Sequence, residues 1–229
     1  MKALLDLFLA KTCPLCQRPA GAVLCRDCER QLQAQAIPDP WLHWRDPLPV
    51  VGWAYYGDLV KRLLRALKYE KQVALAQPLG LELGKVWTAG RPKLTQAPWV
   101  VPIPLHPDRH RQRGYNQAER IAHAFCAWTG LPHKPQGLIR TTNTQAQYQL
   151  SAQARQANLS EAFDLGPDLS GRPVRAPILI LDDIYTTGAT VQAARETLAQ
   201  QGYSVIGVAV VALPQPVVKD GPKRVLRNF

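Results

Sequence analysis

The chain has 229 residues, of which 46% are hydrophobic and 20% are charged. These values are close to those of soluble globular proteins and exclude a disordered or fibrous chain, and the length allows one ordinary domain with a small additional module. The 28 basic and 17 acidic side chains give a formal net charge of +11, which favours polyanionic partners such as nucleic acid or a polyphosphate. A generally basic surface without a single patch would give the same total.

The first ten residues are apolar apart from interruptions such as Asp6. About ten residues are too few to cross a hydrocarbon core of roughly 30 Å, and no small-residue cleavage site separates them from the cysteines that follow. We therefore expect a short amphipathic helix, no secretory signal, no membrane span and a cytoplasmic location.

Four of the five cysteines form two CxxC pairs, Cys13 with Cys16 and Cys25 with Cys28, and eight residues separate the pairs. A CxxC turn places both sulfurs on one side of a tight knuckle, and two knuckles can close a tetrahedral site that suits zinc. Two disulfides or one redox-active pair are the alternatives, but disulfides are rare in the cytoplasm. Because four protein ligands leave no open position, we expect a structural zinc ion. The fifth cysteine, Cys126, lies in an apolar helical pattern typical of a core.

Residues 37–49 contain four prolines and predict an extended linker after a possible short helix at residues 31–36. We place the domain boundary here, with a zinc module and linker in residues 1–45 and the main domain in residues 46–229. Aromatic residues near such a linker favour a sealed interface over base stacking; they are Trp41, Trp44, Trp53, Tyr55 and Tyr56.

Predicted strands alternate with predicted helices along the main domain. The strands are expected at residues 50–56, 99–103, 178–181 and 203–213, and the helices at residues 58–68, 78–87, 116–128 and 191–200. Asp58 is expected to cap the first of these helices. Because the strands are too apolar to face water, the pattern indicates an α/β fold with a mainly parallel sheet covered on both faces.

The most specific segment is ILILDDIYTTGAT at residues 178–190. It delivers Asp182 and Asp183 at the carboxyl end of a buried strand, where open α/β sheets usually bind ligands. The small-residue loop that follows leads into a helix whose N-terminal amides can hold an anion, and Gly188 allows the backbone to approach a phosphate closely. An isolated acidic pair would favour a solvated turn or a helix cap, but this order of elements favours a site.

Two further segments are candidates for phosphate contacts. In VPIP, residues 101–104, two prolines rigidify the turn after an apolar strand, although a plain strand-ending turn has the same pattern. Residues 109–120 form a cationic loop that enters a helix at Asn116. Its arginines suit a diphosphate, and a solvated basic loop is the alternative.

The segment 178–190 resembles the phosphoribosyl pyrophosphate (PRPP) signature of the type I phosphoribosyltransferases. The resemblance implies that Asp182 and Asp183 are the catalytic acidic pair, which binds the ribose 2′- and 3′-hydroxyls. Residues 101–104 look like the pyrophosphate loop of these enzymes, and Mg²⁺ would accompany PRPP. The positions that this resemblance and the cationic loop assign to PRPP and its phosphates are Thr186, Thr187, Gly188, Ala189, Thr190, Pro102, Ile103, Pro104 and Arg113.

Together with the four-cysteine module, RQRGYNQAERIA at residues 111–122 and the polar segment at residues 140–158 are similar to the ComF family, also called ComFC or GntX-like. This resemblance spans nearly the whole chain and implies a type I phosphoribosyltransferase fold. It also implies a cytoplasmic protein of natural competence that acts with a helicase-type partner and other competence proteins on incoming single-stranded DNA. We expect residues 144–157 to form a mobile loop over the active site.

Two functions remain open at this point. A phosphoribosyltransferase would use magnesium, basic loops and backbone amides to stabilise the departing pyrophosphate, while an unknown acceptor attacks C1 of the ribose. Alternatively, the same fold would serve as a PRPP or nucleotide sensor, or as a non-catalytic DNA- or protein-binding adaptor. The intact acidic pair favours binding of a phosphorylated ribose, and the zinc module is a candidate docking surface for a protein partner.

Overall fold

The computed structural model describes residues 12–90, 92–141, 162–171 and 176–216. The amphipathic helix predicted for the first ten residues and the loop predicted at residues 144–157 lie outside these ranges. Among the described residues, no helix combines the length and the apolar character needed to cross a membrane.

Strands and helices alternate through the main part of the chain. The strands are β1 (Val50–Tyr55), β2 (Trp99–Pro102), β3 (Leu138–Arg140), β4 (Phe163–Leu165), β5 (Ile178–Ile184) and β6 (Val205–Leu213). The α-helices are α1 (Arg26–Gln33), α2 (Asp58–Tyr69), α3 (Ala76–Gly90), α4 (Pro107–Arg113), α5 (Gln117–Thr129) and α6 (Ala189–Gln200), and a 3₁₀ turn covers Val73–Leu75.

The main sheet has the strand order β1-β6-β5-β2, and all three pairings are parallel. Strands β3 and β4 form a separate antiparallel pair. The prediction of an α/β fold with a mainly parallel sheet is confirmed. Because parallel strands end at the same edge, the chain segments that follow β2, β5 and β6 meet on one side of the molecule.

Both faces of this sheet are covered, which explains why its strands are almost wholly apolar. Successive residues of a strand point to opposite faces. In β5, Leu179 and Leu181 belong to the core cluster formed with α2, α3 and α5, whereas Ile178 and Ile180 belong to the cluster that includes residues of α6. The end of β5 is therefore held from two sides.

The cysteine module packs onto the main domain. Cys13, Cys28 and Leu32 are buried in the same core cluster as the sheet residue Val51, and the Arg62 guanidinium of α2 donates a hydrogen bond to the Leu15 carbonyl at 3.2 Å. The division of the chain at residue 45 stays a prediction, but the two parts share a continuous apolar contact.

Residues 37–49 fold against the sheet domain, so the prediction of an extended linker is wrong. The Ile37 amide donates to the Trp53 carbonyl at 3.0 Å. The rings of Trp41 and Trp44 lie 5.5 and 5.7 Å from the ring of Trp87 on α3. Burial of these indoles outweighs the extended preference of the prolines, and the favoured interpretation of the tryptophans as interface residues is confirmed.

The start of α1 and the cap of α2 differ from the predictions, and the other predicted helix starts agree within two residues. Helix α1 begins at Arg26, five residues before the predicted position, because Cys25 is its extended N-cap residue and Asp27 and Glu29 occupy the favourable first turn. Helix α2 is capped by Gly57 and contains Asp58 as its first residue, where the carboxylate faces the positive end of the helix dipole.

Candidate functional site

The acidic pair lies at the carboxyl end of the central strand β5. Asp183 is buried, with 4% of its surface exposed, and Asp182 is half-buried. The Asp182 Oδ1 atom accepts a hydrogen bond from the Asp183 amide at 2.8 Å. The two carboxylates are thus consecutive along the chain but have different surroundings.

Two helices supply partners for Asp183. The Lys68 ammonium of α2 forms an ion pair with Asp183 Oδ2. The Gln117 Nε2 atom, at the start of α5, donates to Asp183 Oδ1 at 2.9 Å. A buried carboxylate needs such partners because desolvation of an unpaired charge is unfavourable by several kcal/mol.

The polar network continues from Gln117 to the cationic loop. The Arg113 guanidinium at the end of α4 donates to Gln117 Oε1, and it lies 5.4 Å from the ring centroid of Tyr69. A continuous chain of contacts therefore runs from Lys68 through Asp183 and Gln117 to Arg113. It connects the end of α2 to the sheet edge and to α4.

Burial raises the pKa of Asp182 well above its usual range, the neighbouring charge of Asp183 raises this pKa further, and the Lys68 charge opposes both effects. Burial also lowers the pKa of Arg140, with a further lowering by the Arg109 charge and an opposing effect of Asp182. The charges of Arg140 and Asp182 therefore interact, which connects β3 electrostatically to the acidic pair.

The loop between β5 and α6 has the geometry of an anion-binding helix start. Gly188 is the N-cap of α6 and has a φ of +78°, a left-handed conformation that favours glycine. A Cβ at this position would lie 2.7 Å from Cζ of Tyr185. Thr186 and Thr187 are exposed, and Ala189 and Thr190 form the first turn of α6, whose first amides have no acceptor within a helix.

The VPIP turn lies beside this loop because β2 is the neighbour of β5. Pro102 is in register with Leu181, and the Ile103 amide extends the pairing with a hydrogen bond of 2.9 Å to the Leu181 carbonyl. The Ile103 carbonyl accepts from the Asn116 side chain at 2.9 Å. Pro104 follows at the same edge, so these residues lie near the acidic pair.

A basic cavity of about 300 Å³ opens between the end of α2 and helix α4. Among the described residues, seven side chains line it, of which four are cationic and none is acidic. The lining residues are Lys68, Tyr69, Lys71, Arg109, Gln112, Arg113 and Tyr115. Tyr115 is fixed by a hydrogen bond from its hydroxyl to the Leu67 carbonyl. This cavity suits an anion of small-ligand size.

The structure thus places the acidic pair, the loop 186–190, the VPIP turn and Arg113 at one edge of the sheet. Lys68 and Gln117 are not among the site residues predicted from the sequence. A signal for Lys68 exists, because it follows Val60 and Leu64 at intervals of four residues and therefore continues the buried face of α2. Gln117 is also buried, with 6% of its surface exposed. A glutamine directly after an N-cap residue, however, belongs to no periodic pattern that would predict its burial.

The four module cysteines form a compact cluster. Their sulfurs all lie within 4.8 Å of one another, and the Cys16 and Cys25 sulfurs are 3.6 Å apart. A tetrahedral site with zinc–sulfur bonds of about 2.3 Å requires sulfur separations of about 3.8 Å. The Arg18 guanidinium, 3.4 Å from Cys16 Sγ, lowers the pKa of this thiol to about 6. The cluster could hold a metal ion such as zinc.

Cys126 differs from the module cysteines. It is 8% exposed, and burial raises the pKa of its thiol to about 12. Its predicted place in the core is confirmed.

The raised pKa of Asp182 predicts that Asp182→Asn stabilises the protein near neutral pH. The folded state holds the Asp182 proton more tightly than the unfolded chain does, so this contribution to stability is lost as the pH rises through the folded-state pKa. The asparagine has no such proton, and its Oδ1 atom can still accept from the Asp183 amide.

Urea unfolding at several pH values tests this. The advantage of the variant should shrink to a constant remainder below the ordinary Asp pKa of about 4, where both states of the wild type are protonated. A variant that is less stable at neutral pH, or a difference that does not change with pH, would contradict the assignment.

No protein-family model matches the chain. Individual proteins do match it. The chain is 32% identical over 198 residues to the DNA utilization protein YhgH of Salmonella typhimurium, an alignment that covers 86% of this chain and 81% of the relative. It is 29% identical over 217 residues to competence protein F of Haemophilus influenzae, with 89% and 91% covered. It is 30% identical over 191 residues to competence protein ComFC of Bacillus subtilis, with 83% and 72% covered. The chain belongs to the ComF family.

Proposed function

We propose that this protein binds PRPP or a related phosphorylated ribose at the carboxyl edge of its sheet and acts in the handling of single-stranded DNA. One observation carries the ligand proposal: an acidic pair with one buried and one half-buried carboxylate, a left-handed turn into a helix and a cavity with four cations adjoin one another. Each feature suits one part of a phosphorylated ribose. Carboxylates accept hydrogen bonds from ribose hydroxyls, and helix amides and cations bind phosphates.

In this proposal Asp182 and Asp183 bind the 2′- and 3′-hydroxyls, and residues 186–190 hold the 5′-phosphate. The diphosphate enters the basic cavity, where Arg109 and Arg113 lie. The rigid VPIP turn lies beside it, where Pro102 and Pro104 have no N–H and the Ile103 amide donates to the Leu181 carbonyl. Lys68 forms an ion pair with Asp183 and holds this carboxylate in place. Gln117 holds Asp183 and Arg113 at a fixed separation.

Magnesium fits this arrangement as a companion of the ligand. Its preferred ligands are oxygens, and it commonly binds phosphate oxygens, water and one or two carboxylates. Because Lys68 already neutralises Asp183, Asp182 is the carboxylate of the pair with capacity for further contacts. The metal would shield phosphate charge in a site that is otherwise served by arginine and lysine.

A transferase and a sensor would share this binding step. In a transfer reaction the bond from C1 to the diphosphate oxygen breaks, its electron pair leaves with the diphosphate, and the acceptor forms the new bond to C1. The cations of the cavity would stabilise the charge that develops on the leaving diphosphate. The acceptor is open, and a non-catalytic adaptor for DNA or protein is the alternative.

The DNA part of the proposal rests on the relatives and on charge. The relatives are a DNA utilization protein and two competence proteins, and the net charge of +11 suits a polyanion. We further propose that the protein acts with other competence proteins, a helicase-type partner among them.

For the four-cysteine module we propose a structural zinc ion. The sulfur spacing suits tetrahedral coordination, and no fifth group is needed to complete it. Because Cys13 and Cys28 belong to the main core cluster, a metal there would stabilise the packing of the module on the sheet domain.

Calorimetric titration of PRPP with Mg²⁺ tests the ligand proposal. The wild type should bind, and the double variant Asp182→Asn/Asp183→Asn should lose at least about tenfold in affinity, since buried charged acceptors of this kind are worth about 1.5–3 kcal/mol each. Asp164→Asn is the matched control, because Asp164 is an exposed carboxylate on β4. A wild type that binds no PRPP, or a double variant that binds as well as the control, would refute the proposal.

Metal analysis of the purified protein tests the zinc proposal. We expect about one zinc ion per chain, loss of the ion in Cys25→Ser, and a lower unfolding temperature in that variant. Cys126→Ser is the control and should keep the metal, because Cys126 lies in the core outside the cluster. Zinc retained in full by Cys25→Ser would show that the ion is held elsewhere.

A further inference from the structure

We infer that Tyr69 and the basic outer face of α2 form the docking surface for single-stranded DNA, with one base stacked on the Tyr69 ring at the mouth of the basic cavity. This inference rests on the proposed role in DNA handling. It adds the surface that makes the contact and a specific aromatic residue within it.

Tyr69 is unusually exposed for a large aromatic side chain. It is the last residue of α2, and 74% of its surface is accessible, the highest value among the exposed large hydrophobic side chains of the described residues. The Arg113 guanidinium lies 5.4 Å from its ring centroid. The guanidinium restrains the ring while most of the side chain remains available to a ligand.

The exposed face of α2 that leads to Tyr69 is basic. Lys61, Arg65 and Tyr69 recur at intervals of four residues and therefore lie on the same face of the helix, which extends over about 12 Å between the first and the last of them. Lys61 and Arg62 are exposed, and the Arg65 side chain is 74% exposed. The opposite face of α2 is buried in the core.

The charge continues beyond both ends of this face. Lys71 lies two residues after Tyr69 and, with Arg109 and Arg113, lines the basic cavity. At the other end, Arg62 contacts the cysteine module through the Leu15 carbonyl. The surface thus forms a cationic strip from the module to the cavity.

Two acidic residues lie beside the strip: Asp58, which is exposed at the first position of α2, and Glu70 at its C-cap. Glu70 pairs with Arg65 at 3.5 Å, and both side chains are more than half exposed. Exposed ion pairs of this kind contribute little to the free energy of folding, so Arg65 can exchange Glu70 for a phosphate of the DNA.

This combination fits a single strand better than a duplex. Phosphates bind cations irrespective of base sequence, and an exposed aromatic ring stacks on a base that is free of its neighbours. In a duplex the bases are already stacked on one another, so the ring has no free base face to contact. The cationic face of α2 can contact the phosphates of one strand, and the Tyr69 ring at the end of this helix can stack on a base of the same strand.

Fluorescence anisotropy with a labelled oligothymidylate of about 15 nucleotides tests the surface. Tyr69→Ala should weaken binding about 5- to 100-fold, the range for loss of one stacked base, whereas Tyr69→Phe should bind like the wild type. Trp128→Ala is the control. Trp128 is also an exposed aromatic residue, with 50% of its surface accessible, but it lies on α5 and not on α2. Binding of a duplex should be insensitive to Tyr69→Ala.

The salt dependence separates the ring from the charges. Lys61→Gln/Arg65→Gln should reduce the slope of the logarithm of affinity against the logarithm of salt concentration by about 1.4, at about 0.7 for each phosphate contact on a single strand. Tyr69→Ala should leave this slope unchanged while it lowers the affinity.

The outcomes distinguish the inference from the function on which it rests. A wild-type protein that binds no single-stranded DNA would overturn both. Strong wild-type binding that is unchanged in Tyr69→Ala, or is weakened equally in Trp128→Ala, would overturn the docking surface and leave DNA binding intact. Circular dichroism of each variant establishes that the fold is retained.

Discussion

The ion pair between Lys68 and Asp183 is the contact on which the site depends. Asp183 is almost fully buried, and the Lys68 side chain is 18% exposed, so neither charge has bulk water as its main partner. Removing one partner of such a pair leaves an uncompensated charge in a poorly solvated position. Lys68 lies in the last turn of α2, so the end of this helix supplies the positive charge that Asp183 needs at the carboxyl end of β5.

This pair links three parts of the molecule that are distant in sequence. Gln117 occupies the second oxygen of Asp183 and also accepts from Arg113, so the position of the basic cavity is coupled to the position of the acidic pair. The apolar clusters on both faces of β5 hold the strand itself. The raised pKa of Asp182 implies an unfavourable contribution to stability near neutral pH, and perturbed pKa values are common where groups are placed for binding.

The sequence was informative where structure follows from local pattern. The apolar strands predict a covered parallel sheet, and parallel strands place Asp182 and the VPIP turn at the same edge. The CxxC pairs predict the clustered sulfurs because their spacing is set by tight turns. These features depend on a few consecutive residues, so one sequence suffices to predict them.

The remaining features depend on tertiary packing. Residues 37–49 look extended because of their prolines, yet burial of Trp41 and Trp44 against Trp87 folds them onto the domain. Lys68 belongs to a helix whose pattern shows only an apolar face, and its carboxylate partner lies more than a hundred residues away. The helical spacing does place Tyr69 on the same face as Lys61 and Arg65, but how much of its ring stays exposed depends on the packing of other elements.

The central claim is that the acidic pair, the loop into α6 and the basic cavity form a single ligand site. Hydrogen–deuterium exchange with and without PRPP and Mg²⁺ tests it most directly. The claim predicts slower amide exchange together at Ile103 and in residues 109–113 and 184–190, with the α3 helix unchanged. Protection confined to one of these segments, or protection elsewhere on the chain, would contradict it.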